Sequence, residues 1–235
     1  EALALQIFHP DFFGGTWAYC PDPVTFTNVE GINIYEDANA FYKEYEWRRV
    51  PTPNTRETDG RIRLTSEQRS HFELVNGTKG RSGEQFDIWS AVFGPVGKDG
   101  YPELIFDKRT GEINKRVAQY WQQNYDLLYR LQRDMTVTHH FERGVFWEWI
   151  GPKLVDKLHI YTGDMDSFYL NVSVRELEKW MKTTENPHDE GFFMYGDGKG
   201  HCWSGPVTPA ERLREMAQFI LRKRPEGATT PWWRY

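Results

Sequence analysis

The chain has 235 residues, enough for one large domain with a real core or two small ones. With 39% hydrophobic and 27% charged residues the composition is globular rather than disordered, and no apolar run reaches the ~18 residues of a membrane-spanning helix. A net charge of −5 gives no general attraction for nucleic acid or an anionic membrane, and 16% aromatic residues, 10 of them Trp, suit either a flat-walled cleft or a Trp-rich core.

The opening EALALQIFHPDFFGG places Ala2, Leu3, Leu5, Ile7 and Phe8 on an amphipathic helix that breaks at Pro10. It has neither a cap nor a basic, signal-like leader, which raises the expectation that further polypeptide precedes it. GTWAYC (15–20) reads as a short strand closed by the turn residues PDP at 21–23. Residues 24–152 read as an irregular, polar and aromatic insertion broken by Pro51, Pro53 and a series of glycines. Two helical stretches stand out within it, at 66–74 and 112–134. The second carries Val117, Tyr120, Trp121, Tyr125, Leu128 and Leu131 at spacings of three and four.

From Lys157 the rhythm changes. KLHIYTG (157–163) and GFFMYG (191–196) read as strands, and NVSVRELEKWMKTT (171–184) as an amphipathic helix. TPAERLREMAQFILRK (208–223) is a helix with Thr208 as cap, Pro209 at its first position and Glu211 three residues after the cap. Residues 224–235 read as a tail. Strand, helix, strand, helix at this spacing predicts an α/β class, with a parallel sheet covered by helices.

In open parallel sheets ligands bind beyond the carboxyl ends of the strands. Three loops leave such ends here: Cys20-Pro21-Asp22, Gly163 through Asp166, and Gly196 through Ser204. A lone histidine on a glycine-rich loop is usually an idle surface residue. His201, however, follows a loop of carboxylates one helix and one strand earlier. Acid then base at the ends of successive strands is the tail order of a Ser…Asp…His hydrolase. The carboxylate holds one imidazole nitrogen and leaves the other to take a proton from a nucleophile.

KLHIYTGDMDSFYLN, YGDGKGHCW and the opening EALALQIFHPDFFGGTWAYCPDP together resemble the C-terminal part of an esterase family of the α/β-hydrolases, related to esterase D and to feruloyl and acetyl-xylan esterases. The resemblance covers roughly 1–23 and 153–223 and makes these segments the hydrolase core; 24–152 match no family pattern and, lying between two active-site loops, read as an insertion or lid over the active-site edge. It implies Asp166 as the acid, in preference to Asp164, and His201 as the base. It further implies a carboxylic ester substrate, small or polysaccharide-linked, no cofactor and no metal, no nucleic-acid or membrane partner, and a secreted or periplasmic location. Asp22, Trp203 and Trp17 would line the ester pocket, Trp17 being equally readable as core.

The departure from the family is its nucleophile, since the chain contains no G-x-S-x-G. Gly80-Arg81-Ser82-Gly83 is the nearest approach and lacks the final glycine. The resemblance puts the serine elbow, and the earlier strands with it, before Glu1, on an upstream polypeptide; a homo-oligomer is a further arrangement for the open sheet edge. The alternative from another class is a non-catalytic, hydrolase-like binding module with an aromatic cleft.

Other features carry less. Cys20 and Cys202 lack metal-ligand spacing. The His201-Cys202 pair is similar to that of tannase-like esterases, where the cysteine is disulfide-bonded beside the nucleophile; packing within the loop and pairing with Cys20 both stay open. His139, His140 and Glu142 suggest a metal site only weakly, because adjacent side chains point apart. The sequons at Asn76 and Asn171 matter only in a glycosylating pathway.

Overall fold

A computed structural model describes residues 1–136, 139–142, 145–148, 150–224 and 227, with side chains excluded over 135–149. The side chains of His139, His140 and Glu142, and the tail beyond Arg224 apart from Gly227, therefore lie outside the described residues.

In chain order the elements are α1 (Ala2–Phe8), β1 (Thr16–Tyr19), the hairpins β2 (Tyr42–Tyr45) with β3 (Arg48–Pro51) and β4 (Pro53–Arg56) with β5 (Ile62–Thr65), and helices α2 (Ser66–Asn76), α3 (Gln85–Phe93), α4 (Lys115–Tyr125) and α5 (Leu127–Thr136). A third hairpin pairs β6 (His139–Glu142) with β7 (Val145–Glu148), and α6 (Gly151–Leu154), β8 (Leu158–Gly163), α7 (Leu170–Met181), β9 (Phe192–Gly196) and α8 (Pro209–Lys223) complete the chain. The expected capping box at Thr208 and Glu211 is formed, and Thr65 with Gln68 starts α2 in the same way.

β1, β8 and β9 form one parallel sheet in the order β1-β8-β9. Thr16 lies opposite Leu158, and Gly163 opposite Gly196. Strand alternation sends Ala18, Leu158 and Ile160 to one face, where they pack with Leu3 and Ile7 of α1, Leu127, Leu128 and Leu131 of α5, and Val174, Leu177 and Met181 of α7. Each of these side chains larger than Ala18 contributes about 1.5–3 kcal/mol when taken out of water. The other face carries Trp17 stacked on His159 at 4.6 Å, and Phe219 of α8 meets both rings edge-on, at 5.2 and 5.0 Å. Burial lowers the His159 pKa below its ordinary value, which keeps this aromatic row neutral. β1 and β9 are the sheet edges.

A second core, built around Phe26, Ile32, Ile34, Phe41, Phe86, Phe106 and Trp121, belongs to the segment between β1 and α5. The insertion is thus not irregular: it carries its own hairpins and helix α3. Nor is it a separate layer throughout, because Val24, Leu127, Leu128, Leu131 and Ile150 pack into the core beneath the sheet.

The expected single helix over 112–134 is two helices. Asp126 interrupts it with extended backbone geometry, and its carboxylate accepts from the Tyr129 backbone at the start of α5, from Phe26 N, from Thr25 Oγ1 and from Tyr35 Oη at 2.6–3.0 Å. One buried acid therefore caps α5 and ties residues 25–35 to it. Asp126→Ala removes the cap and leaves buried donors unpaired, so the chain should lose roughly 3 kcal/mol of unfolding free energy in urea titration. A loss within 0.5 kcal/mol of zero would show that this junction is not structural.

Candidate active site

The loops after β8 and β9 are zipped together at the carboxyl end of the sheet. Asp164 N donates to Gly196 O at 3.0 Å, and Met165 N to Lys199 O at 3.0 Å. Gly163 permits the approach, since a Cβ there would stand 2.2 Å from the carbonyl oxygens of Lys199 and Gly200. Any larger residue would push these backbones apart.

This contact brings Asp166 to His201, with Oδ2 2.9 Å from Nδ1. The Asp166 side chain is fully buried and that of His201 is 37% exposed. The other carboxylate oxygen accepts from the backbone of Phe168 at 2.8 Å and of Leu170 at 3.3 Å. An ionised carboxylate only accepts, so Nδ1 carries the proton and Nε2 is left as the acceptor. Among the described residues Nε2 makes no hydrogen bond. The Phe168 ring stands edge-on to the imidazole at 4.9 Å and fixes its plane. The hydrogen bond to Asp166 raises the His201 pKa; partial burial opposes it, and the charges of Asp166 and Asp22 add to it.

Asp164, the other acid of that loop, does not face the imidazole. Its carbonyl accepts from Asn171 Nδ2 at 2.9 Å, and its Oδ1 is buried with no partner among the described residues.

Asp22, at the end of β1, is exposed to a groove yet crowded by protein, and burial pushes its carboxyl up to about 6. The charge of His201 and a hydrogen bond from Trp89 pull the other way. The groove, about 450 Å³, runs along β1 from Trp17 to Asp22, with the amino end of α1 and Val92, Phe93 and Tyr125 of the insertion on its walls.

The remaining expected residues divide. Trp203 packs against Gly196, where an added Cβ would lie 2.6 Å from its ring. Trp17 is shared between groove and core, with His159 and Phe219 as its ring partners. Ser82 is not brought to His201: its hydroxyl donates to Asp87 at 2.5 Å and accepts from Glu84 N, which makes it a turn residue ahead of α3.

Cys20 and Cys202 are joined in a disulfide with Cα atoms 4.8 Å apart, which ties the end of β1 to the residue after His201. It closes a loop across a separation of 182 residues, worth roughly 5 kcal/mol in the chain-entropy account. The donor atoms of Cys20, His201 and Cys202 lie within 4.8 Å of one another, but the bonded sulfurs are not thiolates and do not compose a metal centre. Asn171 of the second sequon is buried and bonded within the acid loop, so it has no room for a glycan.

Three residues gave no signal in the sequence. Trp89 and Phe168 read as ordinary aromatics, and Arg56 sits in the polar, turn-like TPNTRETDG. Comparison with known proteins finds no match: no family model, curated protein or solved structure is significantly similar to the chain.

Because pairing lifts His201 above its ordinary 6.5, its stabilising contribution is complete below that value and disappears as pH rises through the higher folded-state value. Asp166→Asn should bring the His201 titration, followed by NMR, back toward 6.5 or lower. An unchanged midpoint would mean that the pair is not an ionic one.

Proposed function

We propose that this chain supplies the acid and base of a serine carboxylesterase of α/β-hydrolase type. The observation that carries the reading is the Asp166–His201 hydrogen bond at the ends of two adjacent parallel strands, with Nε2 making no hydrogen bond among the described residues. The topology supports it. The links from β1 to β8 and from β8 to β9 pack their helices α5 and α7 on one face together with α1, and α8 lies on the other. That is the arrangement expected of the last strands of such a fold.

In this reading Asp166 holds the Nδ1 proton and stabilises the imidazolium. His201 Nε2 takes the proton of a serine hydroxyl as its oxygen bonds to the ester carbonyl carbon, and returns it to the alkoxide as the C–O bond of the leaving alcohol breaks. A water is then deprotonated in the same way and releases the acid from the acyl-enzyme. The raised His201 pKa suits it to both transfers.

The serine and most of the oxyanion-hole amides belong to polypeptide outside the described residues, in the same chain or a companion, running beside the open edge of β1. The amino end of α1 borders the groove that holds Asp22, and Asp22 is one of the charges acting on His201, which supports an elbow entering there. Asp22, Trp203 and Trp17 then border the ester pocket, with insertion aromatics as a lid. The substrate is a carboxylic ester, small or polysaccharide-linked. The disulfide suits an oxidising compartment such as the periplasm or the cell exterior.

The test is aryl-acetate hydrolysis by the source protein carrying substitutions in this chain. His201→Gln and Asp166→Asn should each lower kcat by about 10⁴-fold with little change in KM. Hydrolysis surviving both substitutions, or absent from the unaltered source protein, would leave the groove to a non-catalytic binding module.

A further inference from the structure

The insertion reaches the acid loop through two side chains: Asn28 Nδ2 donates to the Tyr169 carbonyl at 3.0 Å, and Arg56 makes the remaining contacts. Arg56, the last residue of β4, donates from Nε to the Asp166 carbonyl at 2.9 Å, and from Nη2 to the Asp164 carbonyl and to Asn171 Oδ1, both at 3.1 Å. Its own backbone N donates to Ser167 O at 2.9 Å. The guanidinium lies over the Tyr169 ring, 4.4 Å from the centroid. Asp166, Ser167 and Tyr169, with Asp164 and Asn171 beside them, are thus held by one residue from a hairpin more than a hundred positions earlier in the chain.

The fork is specific to arginine. Its planar donors meet two carbonyls and an amide oxygen while its face stacks on the ring, and a lysine ammonium supplies a point charge without that geometry. The carboxylate itself is not among the partners of Arg56. The side chain grips the backbone on either side of Asp166 and leaves its carboxylate oxygens to Phe168 N, Leu170 N and His201.

We propose that Arg56 is a positioning residue: it fixes the backbone of residues 164–169 so that Asp166 keeps its bond to His201, and the insertion is thereby a structural part of the acid–base pair. The groups that set the charge of His201 are Asp166 on the β8 loop and Asp22 on the β1 loop, and neither is substituted in the test. The hydrolase reading gives the pair its task, but the positioning is measurable on this chain without turnover.

The experiment is NMR titration of His201, assigned through His201→Asn, in the source protein and in its Arg56→Lys and Arg56→Met variants. Loss of a nearby positive charge alone would raise the His201 midpoint in the Met variant and leave the Lys variant unchanged. Loss of positioning instead loosens Asp166, so both variants should lower the midpoint toward the ordinary histidine value. Faster amide exchange at Phe168 and Leu170 should accompany the shift.

Midpoints and exchange that match the parent chain, or a rise confined to the Met variant, would overturn the proposal. If the Met variant fails to fold, the Lys variant and the exchange rates decide alone. In the source protein the lysine variant should lose about tenfold in kcat with KM unchanged. Failure there, with the NMR shifts intact, would count against the hydrolase reading and not against the positioning.

Discussion

Asp166 is fully buried, and a carboxylate so placed is tolerated only while its oxygens have donors, since an unpaired buried charge costs several kcal/mol. Two donors are the backbone amides of Phe168 and Leu170, at the start of α7, and the third is His201. The requirement therefore fixes where α7 begins and where the 196–204 loop must return. Tyr169, in left-handed backbone geometry at φ 61, turns the chain so that both amides face the same oxygen. Gly163 follows from the same constraint, because only a residue without a Cβ lets β8 end against the 199–200 carbonyls.

Around this point the chain is braced from three sides. The sheet and its helices hold β8 and β9 in register, the Cys20–Cys202 bond ties the histidine loop to β1, and Arg56 anchors the acid loop to the insertion. The bracing explains why the insertion needs a core of its own. A hairpin that orients another loop must itself be held, and buried Asn54 of β4 donates to Glu30, in the 26–34 stretch that supplies Phe26, Val29, Ile32 and Ile34 to that core. The groove side is left open by comparison, bordered by β1, whose outer edge is unpaired among the described residues, and by the amino end of α1.

The strands and helices of the sheet layer were legible because burial imposes their patterns: Trp17 and Ala18 alternate, α7 and α8 keep helical spacing, and Thr208-Pro209 marks a helix start. Loop order alone pointed to an acid loop paired with His201, and the esterase resemblance preferred Asp166 to Asp164 within it. The insertion was not. β2 and β3 are largely exposed and charged, so no alternation marks them, and β4 begins at a proline. Helical spacing runs unbroken across Asp126, which hides the break, because the acid's partners at 25–35 are distant in sequence. Arg56 was invisible for the same reason: its partners, among them the carbonyls of Asp164 and Asp166, lie far along the chain, and backbone acceptors leave no trace in residue type.

The central claim is that His201 Nε2 serves a serine carried beside β1. Its most direct measurement is a diffraction structure of the source protein after reaction with an aryl phosphonate, which leaves a stable covalent adduct on an activated serine. The account predicts one adduct, on a serine at the amino end of α1, with His201 Nε2 within about 3 Å of the serine oxygen or a phosphonyl oxygen. An adduct elsewhere, or a groove closed by side chains with no hydroxyl facing His201, would contradict it.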